Sequence, residues 1–574
     1  MPTVADQMVD VLKIAGVKRV YGVVGDSLNG FTDAIRRKGG IDWLHTRHEE
    51  AAAFAAAGEA QATGALAVCA GSCGPGNLHL INGLFDAQRS RAPVLAIAAH
   101  IPSAEIGSGY FQETHPEQLF RECSNYCELV SSPEQMPRVL EIAIRRAVTE
   151  RCVSVLVIPG DIALREAAVT RMLAMQGLAP SPPAVVPEPE AVERLAALLN
   201  ETRRITLLCG GGVAGARDEV IALAEKLKAP IVHALRGKEH IEWGHAYSVG
   251  MTGLIGITSG YYAMGSCDAL LMLGTDFPYR QFYPNDARVA QIDVRPENLG
   301  RRTSIELGLV GDVKHTVGAV LPKIARKSDD AHLRVALKHY RAARTDLDEL
   351  ATGKPGGRLH PQHVVRILNE QAADDAIFTA DVGLPTVWSA RYLTMNGKRR
   401  LIGSFWHGSM ANAMPQAIGA QAAFAGRQVV SLSGDGGFTM LLGDLLSLRQ
   451  LDLPVKVVVL NNGTLGFVEL EQKSSGFVDF GTELDNPNFA AMAEAAGIKG
   501  IRITDPADLE GGIAAALAHD GPVVVDAVVE RMELAMPPKI KMEMAKGFTL
   551  YMLKAVLNGR GNEIVELARA NLLR

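Results

Sequence analysis

The chain has 574 residues, too many for a single hydrophobic core, so three or four domains are expected. Apolar residues make up 48 %, charged residues 21 %, and the net charge is −5, which describes a well-buried globular protein and argues against a basic nucleic-acid groove. The seven cysteines are scattered, and the closest pairs, Cys69/Cys73 and Cys123/Cys127, lack CxxC spacing and companion histidines, so they read as reduced thiols of a cytoplasmic protein.

The opening segment MPTVADQMVDVLKIAGVKRV has no long apolar run and carries acids early, unlike a signal peptide. No stretch is long and apolar enough to span a bilayer, so any membrane contact is expected to be peripheral. In the first third, RVYGVVG (19–25), ALAVCAG (65–71), PVLAIAAH (93–100) and VSVLVIPG (153–160) read as continuous apolar strands alternating with helices, the pattern of a parallel sheet buried on both faces. APSPPAVVPEPE (179–190) is a proline-rich linker. A second block holds ITLLCGGG (205–212), APIVHALRG (229–237), DALLMLGTD (268–276) and VAQIDV (289–294), and ends in a charged helix near 330–350. The third holds AIFTADVG (376–383), RQVVSLSGDGG (427–437), VKVVVLNN (455–462) and PVVVDAVVE (522–530). The expected fold class is α/β: three open, mostly parallel-sheet domains over 1–180, 181–340 and 341–530, with a helical tail over 531–574.

The strongest chemical signal lies in the third block. A strand runs into Gly434-Asp435-Gly436-Gly437, a helix follows, and the next strand ends in Asn461-Asn462. Glycines there let backbone approach phosphate oxygens, and the following helix offers unpaired N–H groups to an anion. Asp435 and the Asn462 side chain are hard oxygen ligands suited to Mg²⁺, and the Thr464 carbonyl is a natural third. Taken alone, each pair is a common turn. Together, one strand–helix–strand unit apart, they look like the thiamine-diphosphate motif. That cofactor needs a carboxyl group to share a proton with its pyrimidine ring. Arg47-His48-Glu49-Glu50-Ala51, where a strand turns into an Ala-rich helix, resembles the segment carrying that glutamate and places the role on Glu49. His407-Gly408-Ser409-Met410 resembles the segment whose apolar residue wedges the cofactor's rings into a V, here Met410, with the Gly408 carbonyl on the amino group.

Over nearly its whole length the sequence is similar to the bacterial quinone-dependent pyruvate dehydrogenases, or pyruvate oxidases. The resemblance is carried by GVVGDSLNG (22–30), TRHEEAAAFAA (46–56), CAGSCGPGNLHLINGLFDA (69–87), IGSGYFQETHP (106–116), HALRGKEH (233–240), VGMTGLIG (249–256), GSFWHGSMANAMPQA (403–417), SGDGGF (433–438), NNGTLGFVELE (461–471) and AKGFTLYMLKAVLNGRG (545–561). It implies a pyrimidine-binding, an FAD-binding and a diphosphate-binding domain, in that order. By resemblance the thiamine cofactor contacts Glu49, Gly408, Ser409, Met410, Asp435, Gly436 and Gly437, and the run Asn462, Gly463, Thr464, Leu465, Gly466, Phe467 and Val468. FAD is assigned to Thr252, Gly253, Leu254 and Ile255, to Thr275, Asp276, Phe277, Pro278 and Tyr279, and to Asp293. From the residues alone, Gly210–Gly215 fits G-x-G-x-x-G, but the next strand ends without the acid of an NAD site, so the cluster reads as a helix cap. Phe111, Gln112 and His79 match substrate-side positions for pyruvate, and Phe467 matches a residue that moves into the site on activation.

The implied reaction is oxidative decarboxylation of pyruvate to acetate and CO₂, with electrons passed through FAD to membrane ubiquinone. Ile564, Leu567, Ala568 and Leu572 lie at helical spacing in the tail, which by composition suits a docking helix and by resemblance a lipid-binding segment. Glu49 and the diphosphate motif sit in different domains, and the resemblance implies that the site forms between two subunits, so that a dimer is the minimum and a homotetramer is expected. The rival readings are an acetolactate-synthase-like carboligase with structural FAD, and a silent scaffold on the same fold.

Overall fold

The computed structural model describes residues 1–168, 175–178, 180–181, 183–535, 542–558 and 560–571. It contains three six-stranded sheets, every strand pair within them parallel. The first runs across Asp42–His45, Arg19–Gly22, Ala67–Gly71, Val94–His100, Val153–Pro159 and Tyr126–Leu129. The third repeats that order with Arg400–Gly403, Ile377–Ala380, Val429–Gly434, Lys456–Asn461, Val523–Val528 and Lys499–Ile503. Their central strands are buried along their whole length, as continuous Val, Ile and Ala runs require when helices cover both faces. The strands are shorter than the apolar runs that announce them: RVYGVVG yields only Arg19–Gly22 before the chain leaves the sheet.

The middle sheet is wound differently. Its order is Leu307–Val310, Arg288–Asp293, Ala269–Leu273, Ile205–Cys209, Ile231–His233 and Ser248–Met251. Numbered from its own first strand this is 6-5-4-1-2-3, the doubly wound dinucleotide-binding order, with the direction reversing between Ile205–Cys209 and Ala269–Leu273.

The first and third sheets are joined by helices Glu49–Thr63 and Ala413–Ala423, which pack through alanine and glycine faces. A Cβ at Gly419 would stand 1.8 Å from the Ala55 carbonyl, and one at Gly58 would stand 2.3 Å from that of Gln416. Glycine there is what allows the backbones to touch. One hydrophobic core therefore runs from the first sheet through this pair into the third.

The tail forms helices Met542–Leu557 and Gly561–Asn571. Its buried Tyr551 faces the third block, a Cβ at Gly547 would meet the Ser474 carbonyl, and Lys554 Nζ donates to the Gly476 carbonyl at 2.8 Å. Leu572 lies outside the described residues. Among the described residues no helix is long and apolar enough to cross a membrane.

Candidate active site

A cavity sits at the carboxyl ends of Ile377–Ala380, Val429–Gly434 and Lys456–Asn461, where the strand order of the third sheet reverses. Val382–Pro385 and Trp388 wall one side, Gly408 and Met410 another, and Asp435–Gly437, Asn462 and Thr464–Val468 form its floor. Gly408, Met410, Asp435, Gly436, Gly437, Asn462 and Thr464–Val468, singled out in the sequence, thus line one space. Met410 stands in a loop before helix Ala413–Ala423, not on the helix.

Asp435 opens helix Asp435–Met440 and is 3 % exposed. One carboxylate oxygen accepts from the Gly436 N–H at 2.8 Å, the other from the Gly463 N–H at 2.7 Å, the Asn462 N–H at 3.1 Å and Asn486 Nδ2 at 2.8 Å. Burial pushes its carboxyl pKa up, and these donors pull against that shift. The Asn462 and Gly463 N–H bonds lock the two turns to each other through Asp435, and Asn462 Oδ1 accepts from the Thr464 N–H at 3.2 Å within its own turn. The glycines have packing reasons as well as phosphate ones. A Cβ at Gly436 would lie 2.8 Å from Leu465 and 3.3 Å from Met410, and one at Gly437 would lie 2.4 Å from Asp381 Oδ2. The donor set of carboxylate, amide oxygen and carbonyl at a helix N-terminus fits a Mg²⁺-bridged diphosphate.

Two neighbours escaped the sequence reading. Asn486 spans Asp435 and Asn461, donating to Asn461 Oδ1 at 3.0 Å, from a loop with no motif of its own. Asp381 lies wholly buried behind the cradle, accepting from the Ala413 N–H at 2.9 Å, and burial raises its pKa to about 7. A strand-end acid in TADVG gave a weak signal that only the fold resolves.

Glu49 begins helix Glu49–Thr63, is 9 % exposed, and meets His79 Nδ1 at 2.9 Å; His79 in turn stacks on His48. Among the described residues lining the cavity none comes from the first sheet's segment, Glu49 included. Asn82 ties the two regions together, donating to Glu50 Oε1 at 2.7 Å and Ser409 Oγ at 2.9 Å and pairing with His407 Nε2 at 2.8 Å. Gln112 adopts a positive φ beside Cys73, and Phe111 next to it is 77 % exposed.

The residues assigned to FAD gather at the carboxyl edge of the middle sheet. Thr252–Ile255 follow Ser248–Met251, Thr275–Tyr279 follow Ala269–Leu273, and Asp293 closes Arg288–Asp293. The Thr252 hydroxyl is buried without a hydrogen bond among the described residues. Asp293 is buried and accepts from the Arg295 N–H at 2.9 Å, while Asp276 is held by Arg301 and Arg302. The glycine cluster corrects the sequence reading: helix Arg217–Leu227 is preceded by Ala216, and Gly211–Val213 form a separate tight turn. Gly210 and Gly212 are needed because this turn touches Gly274, with the Gly212 N–H donating to the Gly274 carbonyl at 2.9 Å. An orphaned hydroxyl, a strand-end acid and bare backbone at the switch point fit a dinucleotide such as FAD.

The third sheet thus carries a cluster that fits a metal-bridged diphosphate, the first a helix-start glutamate, and the middle one the dinucleotide-binding strand order. Residues 2–119, 192–320 and 381–527 match, respectively, the N-terminal TPP-binding, central and C-terminal TPP-binding domains of thiamine pyrophosphate enzymes. The chain belongs to the thiamine-pyrophosphate-dependent enzyme family. It is 38 % identical to YdaP of Bacillus subtilis, named as thiamine pyrophosphate-containing, over 99 % of this chain and 98 % of that one. It is 29 % identical to a pyruvate oxidase of Lactiplantibacillus plantarum over 94 % and 90 %, and 32 % identical to the acetolactate synthase isozyme 2 large subunit of Escherichia coli over 93 % and 96 %.

Proposed function

We propose that the protein oxidises pyruvate, with water, to acetate, CO₂, two protons and two electrons, and that the electrons pass through FAD to ubiquinone in the membrane. The observation that carries the oxidase reading is the tail. Its helix Met542–Leu557 packs on helix Gly466–Ser474, which starts in the active-site cavity, and leaves Leu553, Val556 and Leu557 exposed to solvent. An apolar row beside the site suits a lipid surface that holds the electron acceptor. The protein is then cytoplasmic, and peripheral on the inner face of the cell membrane when active. Resemblance to the pyruvate oxidases supports the same reading.

In this account Asp435, Asn462 and the Thr464 carbonyl hold Mg²⁺, and the N-terminus of Asp435–Met440 faces the diphosphate. Thiamine diphosphate, when bound, supplies a nucleophilic carbon and an electron sink that lets CO₂ leave. Met410 would pack against the bound cofactor, and Glu49 would hold the proton shared with its pyrimidine nitrogen. Glu49 lies outside the cavity lining of its own chain and Phe111 projects into solvent. A second copy therefore completes each site, bringing its Glu49 to the ring end and its Phe111, Gln112 and His79 to the substrate. A dimer is the functional minimum and a homotetramer is the proposed assembly. Thr252–Ile255, Thr275–Tyr279 and Asp293 hold FAD.

The acetolactate synthase relatives favour one other reading, a carboligase with structural FAD. Protein supplied with thiamine diphosphate, Mg²⁺, FAD and pyruvate separates the two. The oxidase reading predicts acetate and the reduction of two ferricyanides per CO₂. Acetolactate formed without ferricyanide reduction would establish the carboligase.

A further inference from the structure

The turn that carries Thr464 is held from behind by a charge cluster that the proposed chemistry does not use. Thr464 is 2 % exposed, and its hydroxyl donates to Glu469 Oε2 at 2.6 Å. The Thr482 carbonyl, at 3.1 Å, is a second and longer acceptor for the same single proton. Glu469 sits in the first turn of helix Gly466–Ser474 and is itself 4 % exposed. Its other oxygen accepts from Lys473 Nζ at 2.5 Å, one helical turn on. Lys473, also buried, lies 3.9 Å from Asp479 and over the Tyr551 ring. Arg560 then pairs with Asp479 at 2.6 Å, and Arg531 reaches Glu469 at 3.4 Å.

A buried carboxylate is costly unless it is paired and hydrogen-bonded, and here it is both. The arrangement has a consequence for the carbonyl on the other side of Thr464. The Thr464 N–H is fixed by Asn462 Oδ1, and its carbonyl already accepts from the Gly466 N–H at 2.9 Å. The Leu465 N–H donates to the Thr482 carbonyl at 2.8 Å and the Leu484 N–H to the Gly463 carbonyl at 2.9 Å, so the backbone on both sides is bridged, and the Thr464 side chain adds a further tether on the residue's rotation. A hydrogen bond to an ionised acceptor is roughly twice as strong as a neutral one, so Glu469 holds that rotation more firmly than an amide would.

We infer that Glu469, held by Lys473, is a positioning residue that aims the Thr464 carbonyl at the metal through the Thr464 hydroxyl. The inference depends on the reading that Mg²⁺ and a diphosphate occupy this turn. Groups that orient a ligand from behind change metal affinity by about 10–100-fold when removed.

The test is calorimetric titration of Mg²⁺ into the full-length protein with thiamine diphosphate at saturation, beside urea unfolding of the metal-free protein. Thr464→Val, which keeps the backbone carbonyl, is expected to weaken Mg²⁺ binding about tenfold in a protein that still folds, its unfolding midpoint lowered by the lost buried hydrogen bond, and Thr464→Ser to restore both. Glu469→Gln is expected to weaken it several-fold, and Glu469→Gln with Thr464→Val no further than Thr464→Val alone. Additive losses, or Mg²⁺ binding unchanged in both single variants, would overturn the positioning role. Absence of Mg²⁺-dependent cofactor binding in the unaltered protein would instead overturn the diphosphate site on which it depends.

Discussion

Two buried carboxyl groups in the third block are both pushed up in pKa by burial and pulled back by donors, Asp435 by the Gly436, Gly463 and Asn462 N–H groups and Asn486, Asp381 by the Ala413 N–H and the Ser433 hydroxyl among others. Burial raises the Asp381 pKa from 3.8 to about 7, so the folded state favours its neutral form. That contribution to stability is fully present below about pH 4 and is lost as pH rises through about 7. Asp381→Asn does not titrate, so its urea midpoint is expected to gain on that of the unaltered protein between pH 5 and pH 8. The gain is on the order of 1 kcal/mol or more, and a gap independent of pH would contradict the assignment. Glu49, by contrast, is argued to work on the cofactor. Glu49→Gln keeps its shape and is expected to lower kcat by about 10²–10⁴-fold, with thiamine diphosphate still bound as judged by titration.

At the scale of elements, the chain announced its chemistry more clearly than its packing. GDGG and NN were legible because each follows an apolar strand, and strand ends in an open parallel sheet are where ligands bind. The placing of Glu49 at a helix start was legible because a strand turns there into an alanine-rich helix. Asn486 was not, because its partner Asp435 is 51 residues away and nothing near it in sequence marks a site. The glycines at 210, 212, 58 and 419 were misread or passed over for a related reason. Their role is to let another backbone approach, and that backbone belongs to a distant segment. The tail was visible as apolar residues at helical spacing, but its seat on helix Gly466–Ser474 was not. Removing residues 552–574 is expected to abolish stimulation by phospholipid vesicles while retaining ferricyanide-linked turnover, lowered by the loss of Arg560 from the cluster behind Thr464. A truncated protein that responds to vesicles as fully as the intact one would refute the lipid role.

For the whole molecule, the arrangement is one of incomplete parts. The first and third sheets share a strand order and a continuous core, yet the glutamate of one stands outside the cavity of the other. The middle sheet has a switch point of its own, where its strand order reverses. Such a plan makes sense if copies associate and if the flavin takes electrons from chemistry at the cradle. The central claim is therefore that the flavin is a redox partner rather than a structural one. Pyruvate added without oxygen to the protein carrying thiamine diphosphate, Mg²⁺ and FAD tests it most directly. The account predicts that the flavin absorption band bleaches as CO₂ is released. A band that stays unchanged while acetolactate accumulates would contradict it.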